Sequence, residues 1–265
     1  MTPLAFCPQA ALAAIRGVLT DIDETVSTAG HLTAEAYGAL AALKRAGLLV
    51  IPVTGRPAGW CDHIARFWPV DAVVGENGAF WMWHDGKVGR LRTRFIQSEA
   101  DRADGRQRLE AVRADVLREV KGTALASDQP YRLADLAIDF CEDVPALPRA
   151  DVERIVAIFK RHGAEAKISS IHVNGWFGDY DKLTTSRLMM GELFGVDLGT
   201  QRDRYVYSGD SPNDAPMFGF FPNAVGVANV RDFAADMDHL PRWITTARSG
   251  AGFVELARAL IAARR

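Results

Sequence analysis

Apolar and polar positions along this chain fall into blocks whose lengths switch between those of strands and helices. Gly17 to Asp21 is a short apolar run that ends in acids. Thr33 to Ala46 places Leu40 and Leu43 on one helical stripe, and Gly47 stops it. Leu48 to Val53 is continuously apolar over the length of a strand, which predicts a parallel strand covered on both faces, and Pro57 suits the start of the next helix. Asp71 to Val74 predicts a third short strand. Ala79 to Trp83, followed by His84-Asp85-Gly86-Lys87, predicts a hairpin turning at Asp85-Gly86.

The texture then changes. Ser98 to Lys121 is charged and helical, Leu133 to Phe140 strand-like, Arg149 to His162 helical and Ala166 to Val173 strand-like. The earlier alternation resumes with a helix from Lys182 to Phe194, a strand from Arg204 to Ser208 and a helix from Pro212 to Phe218. Strands near Ala224 to Val227 and Trp243 to Thr245 follow, and a helix from Gly252 to Ala263. This order predicts an α/β fold: a doubly wound, Rossmann-like parallel-sheet core of residues 1–84 and 180–265, interrupted by an inserted α/β module at residues 85–179.

With 265 residues, 48% of them hydrophobic, the chain buries a substantial core, and a formal charge of -2 supplies no bulk attraction to nucleic acid or anionic lipid. A small molecule is the expected partner. Cys7, Cys61 and Cys141 are odd in number and widely spaced, so neither a disulfide framework nor a zinc pattern is expected. The opening apolar stretch lacks a basic start and does not read as a signal peptide. No apolar run approaches the roughly 20 residues that cross a bilayer, and free thiols suit a reducing compartment, so the cytoplasm is the expected location.

Ligands of open parallel sheets bind outside the carboxyl ends of the strands. Four segments put polar chemistry there: Asp21-Ile22-Asp23-Glu24-Thr25, Thr54-Gly55-Arg56-Pro57, Asp181-Lys182 and Gly209-Asp210-Ser211-Pro212-Asn213-Asp214. Taken singly, each also reads as a turn, a helix cap or a solvated charge. Together they offer one carboxylate to attack and another to shuttle a proton, a hydroxyl and backbone N–H groups to hold phosphate oxygens, and a lysine to neutralise charge. Two like charges about 4 Å apart repel by roughly 4 kcal/mol at an effective dielectric near 20, so gathered acids ask for a cation. An oxygen-only donor set points to Mg2+.

In this order, Asp21-x-Asp23-x-Thr25, Thr54-Gly55-Arg56, Lys182 and Gly209-Asp210-x-x-Asn213-Asp214 resemble the haloacid dehalogenase superfamily. The resemblance spans most of the chain outside the insertion, which is itself similar to the α/β lid, or type 2 cap, of the superfamily's IIB branch. Gly75-Glu76-Asn77-Gly78-Ala79 and Leu19-Thr20-Asp21 resemble the group of mannosyl-3-phosphoglycerate and sucrose-phosphate phosphatases. The resemblance implies a phosphatase in which Asp21 is nucleophile and metal ligand, and Asp23 is acid/base and binds the metal through its carbonyl. Thr54 and Lys182 would hold phosphate, Asp210 would bind the metal, and Asn213 and Asp214 would complete the metal's surroundings.

Two positions depart from the pattern: Glu24 and Leu183 stand where many relatives carry glycine. The second departure keeps Lys167 in view as an alternative phosphate lysine. Gly55, Arg56, Asn77, His172 and Asn174 are the expected substrate contacts, and the polar and aromatic run from Ser169 to Trp176 suits a sugar. A sugar phosphomutase would use the same pair of aspartates. A non-enzymatic phospho-acceptor, or a sensor that has lost its chemistry, would also gather acids at strand ends.

Overall fold

The computed structural model describes residues 1–264. In chain order its strands are β1 (Thr2–Pro3), β2 (Gly17–Thr20), β3 (Leu49–Pro52), β4 (Val73–Gly75), β5 (Phe80–Asp85), β6 (Arg90–Phe95) and β7 (Ala124–Leu125), then β8 (Leu136–Asp139), β9 (Glu165–Ile168), β10 (His172–Trp176), β11 (Tyr205–Gly209), β12 (Val225–Gly226) and β13 (Trp243–Ile244). The helices are α1 (Gln9–Ala14), α2 (Ala34–Arg45), α3 (Ala58–Phe67), α4 (Glu99–Glu119), α5 (Arg149–Arg161), α6 (Lys182–Phe194), α7 (Leu198–Gln201), α8 (Ala215–Phe220) and α9 (Ser249–Ala262). None is long and apolar enough, among the described residues, to cross a membrane.

Six parallel strands make the main sheet, in the order β1-β13-β12-β11-β2-β3. Both faces are covered, which is why the strands read as continuous apolar runs. Val18 and Val50 point toward Leu40 and Leu43 of α2 and Phe253 and Leu256 of α9, while Leu19 and Ile51 point the other way, into Met189 and Met190 of α6. Thr33 caps α2 by accepting the N–H of Ala36, and Asp181 caps α6 by accepting that of Thr184. A small antiparallel sheet, β4-β5-β6, lies beside β3, joined to it through the Val53–Val74 bridge.

The inserted segment folds into an antiparallel sheet, β7-β8-β10-β9, with α4 and α5 packed on one face. The expected strand from Ala166 to Val173 is instead two strands, β9 and β10, paired antiparallel. The side chain of Ser169 supplies the turn: its Oγ accepts the N–H of His172 at 3.0 Å and donates to the same residue's carbonyl at 3.1 Å. Alternation along β10 sends Val173 into the layer beneath α4 and α5, and Trp176 into the layer shared with Ile22 and Phe80. His172 and Asn174 are on the same face as Trp176. The expected strand from Leu133 to Phe140 begins only at Leu136, because the three preceding residues use their backbone elsewhere.

Those N–H groups bind Glu76. Its fully buried carboxylate accepts Leu133 at 2.9 Å, Ala134 at 2.6 Å and Asp135 at 3.2 Å from the inserted module, and Ala58, at the start of α3, at 3.0 Å. Arg132 adds a second tie, donating to the carbonyl of Gly55 at 2.9 Å while paired with Asp128 and Asp135. Glu76 and Asn77 both adopt left-handed backbone conformations, with φ of 44° and 55°. Such strain costs on the order of 1–3 kcal/mol per residue and persists where surrounding contacts outweigh it. Glu76→Ala leaves several buried amides without an acceptor, and should lower unfolding stability by on the order of 3 kcal/mol or more. Denaturant titration, with faster amide exchange at Leu133 to Asp135, checks this.

Candidate active site

Strand register decides which acids meet. β2 and β11 are adjacent and parallel with Thr20 opposite Ser208, and the N–H of Asp21 donates to the carbonyl of Ser208 at 2.8 Å. The chain leaves both strands at the same edge, so Asp21 and Asp210 arrive side by side although 189 positions separate them. Carboxylate oxygens of Asp21, Asp210 and Asp214 all lie within 4.8 Å of one another.

Each of the three is held differently. Asp214 spends both oxygens: Oδ1 accepts Lys182 Nζ at 2.8 Å and the Tyr207 hydroxyl, and Oδ2 accepts the N–H groups of Asp210 and Ser211 at 3.0 and 3.3 Å. That fold-back requires Gly209, where a Cβ would lie 2.4 Å from Asp214 Oδ2. Asp210 accepts Thr25 Oγ1 at 3.1 Å and Asn229 Nδ2 at 3.0 Å. Asp21 accepts Lys182 Nζ at 2.8 Å through Oδ1.

One ammonium does not balance three buried carboxylates. Burial, with Asp214 and Asp23 adding to it, pushes Asp21 up to about 7 despite Lys182. Burial and the charges of Asp21 and Asp214 push Asp210 well above the usual carboxylate range. Lys182, although buried, is raised by Asp21 and Asp214 and stays charged. The cluster therefore fits a bound cation, and its all-oxygen donors fit a hard one. Among the described residues the second oxygen of Asp21 has no hydrogen-bond partner, and Asp210, held only by the neutral Thr25 and Asn229, has no ion-pair partner.

The other expected residues surround this cluster. Thr54 is fully buried and its Oγ1 accepts the N–H of Arg56 at 3.0 Å, leaving its own hydroxyl proton to donate. Gly55 lies against Asn77, whose Nδ2 would be 3.1 Å from a Cβ there; that Nδ2 is buried and has no partner among the described residues. Asn213 turns its Oδ1 to the Ser211 hydroxyl at 2.9 Å, and it lines the crevice together with Asp21 and Asp23. The carboxylate of Asp23 is outside the group of three and paired with Arg56, at 2.8 Å from Nη2 and 2.9 Å from Nε. Lys182 touches Asp21, whereas Lys167 lines a neighbouring crevice with Asn77 and Trp176.

His172 and Asn174 reach this edge from the inserted module. Asn174 donates to Asp135 at 3.2 Å, and His172 Nε2 is 2.8 Å from Glu142 Oε2. Glu142 in turn lies 2.9 Å from Arg56 Nη2, giving a chain from His172 through Glu142 and Arg56 to Asp23. Trp60, with its ring centroid 4.3 Å from the guanidinium carbon, backs Arg56. Sequence reasoning missed Glu142, Arg132, Tyr207 and Asn229. Asn229 follows the end of β12, so the strand-end rule could have found it; Glu142 follows β8, whose antiparallel pairing puts it outside that rule, and Arg132 carries no such mark.

No family model and no curated protein matches the sequence. Solved structures match the fold. A HAD/COF-like hydrolase from Plasmodium vivax superposes with a TM-score of 0.67 at 17% identity, covering 96% of this chain and 99% of its own. The chain has the fold of the HAD-like hydrolases. The sucrose-phosphatase of Synechocystis sp., solved with sucrose and phosphate, gives 0.64 at 14% identity over 93% of this chain and 98% of that one. The C-terminal domain of Candida albicans trehalose-6-phosphate phosphatase gives 0.69 at 12% identity over 99% and 98%.

The His172 ring nitrogen 2.8 Å away and the charge of Arg56 hold Glu142 down to about 2, from an ordinary 4.5. A depressed carboxyl adds stability above its unfolded value, and that stability is lost as pH falls through the folded value. Glu142→Gln should therefore flatten the decline in thermal stability between pH 4.5 and about 2. Melting curves across that window measure it.

Proposed function

We propose that this chain is a Mg2+-dependent phosphatase that hydrolyses a phosphate monoester of a sugar or similar small metabolite through an aspartyl-phosphate on Asp21. One observation carries the proposal: Asp21 is fixed beside both Lys182 and a second carboxylate, Asp210, whose only side-chain partners among the described residues are neutral, with Asp23 two residues further on. The sugar-phosphate phosphatases among the structural neighbours support the substrate class. In the domain division we propose, residues 1–84 and 180–265 carry the chemistry and residues 85–179 form a lid, apart from β6, which pairs with β5 and stays with the sheet beside β3. Three free thiols suit a reducing cytoplasm.

Mg2+ would be held by the carboxylates of Asp21 and Asp210 and the backbone carbonyl of Asp23, and would supply charge neutralisation and orientation of the phosphate. The protein's own groups do the rest. Thr54 and the N–H groups of the loop after β3 hold phosphate oxygens, and Lys182 offsets the charge that Asp21 and the phosphate bring together. An Asp21 oxygen attacks phosphorus, the bond to the alcohol oxygen breaks, and that oxygen takes a proton from Asp23. Asp23 then takes a proton from water, whose oxygen attacks the same phosphorus and releases Asp21. Arg56 fixes the position of Asp23, and the lid keeps bulk water from the intermediate.

Asp21→Asn should cut phosphate release from a panel of phosphorylated metabolites by about a thousandfold or more. Undiminished release overturns the mechanism. A chelator should abolish wild-type release and added Mg2+ restore it; activity that persists in chelator removes the metal from the scheme.

A further inference from the structure

Beyond Asp23, the crevice that holds Asp21 continues outward. Asp23, Arg56, Ser170 and Ile171 line both the inner crevice and a cavity of about 230 Å3, whereas Asp21 lines only the inner part. In a measure where one water needs roughly 10–15 Å3, that volume accepts a ligand of sugar size. On the proposed phosphatase reading, the leaving oxygen sits within reach of Asp23, so the alcohol part of the substrate extends into this cavity.

Its walls carry three carboxylates, Asp23, Glu24 and Glu142. Among the described residues that line it, Arg56 is the only one with a permanent positive charge, and its guanidinium is already divided among Asp23, Glu142 and Asp128. Cys141 adds a thiol that burial and nearby acids push up to about 11, so it contributes no anion near neutral pH. Such walls offer hydrogen-bond acceptors to hydroxyl groups and, with more carboxylates than cations, repel a second acid.

Glu24 holds its place at a cost. Its backbone is left-handed with φ of 53°, a conformation glycine adopts freely. Its side chain is fixed by the Ser249 hydroxyl at 2.9 Å. Glu142 comes from the opposite wall, the inserted module, steadied by Arg56 and His172.

We propose that Glu142 and Glu24 are specificity-determining residues that admit a phosphomonoester with an uncharged polyhydroxy alcohol and reject one whose alcohol carries a second negative charge. This proposal rests on the phosphatase reading for the direction in which the alcohol extends.

Binding separates it from turnover. Calorimetric titration of the Asp21→Asn protein with Mg2+ compares sorbitol phosphate with phosphogluconate, which differ in one carboxylate. The polyol phosphate should bind about tenfold tighter or more. Glu142→Gln in the same background should narrow that gap to about threefold or less by tightening the acid. Glu24→Gln, tested separately, should narrow it as well, while inorganic phosphate, which needs only the inner crevice, keeps its affinity in both variants. Equal or tighter binding of phosphogluconate by the parent overturns the proposal, as does a gap that neither variant changes. A preserved ranking with no phosphate release by wild type from either compound defeats the phosphatase reading and leaves the charge preference standing.

Discussion

Lys182 holds the two halves of the active edge together. Its ammonium lies between Asp21 from the first half of the chain and Asp214 from the second, and among the described residues no other cation pairs with either. Without it, three buried carboxylates within a few ångströms would face one another, and Asp214, which folds the loop after β11 back on itself, would lose its ion pair. The ammonium is placed by local chemistry: Lys182 is the first residue of α6, and Asp181 before it caps that helix and fixes its start. Helix start and charge balance are thus one constraint.

The part of the fold that parallel strands build was legible because strands buried on both faces write themselves as apolar runs, and the residue after each run lands at the ligand edge. Asp21, Thr54 and Asp210 could be read this way. Two elements were harder. The second arm of the hairpin, β6, is mostly exposed and carries Arg90, Arg92 and Arg94, so it lacks the apolar alternation that marked β5. The break between β9 and β10 is made by one serine side chain satisfying its neighbour's backbone, an event that hydrophobic patterning does not register.

At the site, the sequence pattern put Asp21, Asp210 and Asp214 at one edge but could not show their partners across modules. Glu142 and Arg132 sit in loops of the insertion, away from the carboxyl ends of the parallel strands, and only the packing of that module against the sheet edge brings them to Arg56 and Gly55. Arg56 illustrates the difference. As part of Thr54-Gly55-Arg56 it reads as a substrate contact, yet in the folded chain it pairs with Asp23, Glu142 and Asp128, so its charge is spent within the protein.

Glu76 grips the inserted module by main-chain N–H groups alone, and a grip of that kind is blind to the side chains at positions 133, 134 and 135. Any residue but proline offers the same donor. Evolution can therefore vary the exposed side chain at position 133 without loosening this anchor, whereas Asp135 stays bound to the module's other tie through Arg132.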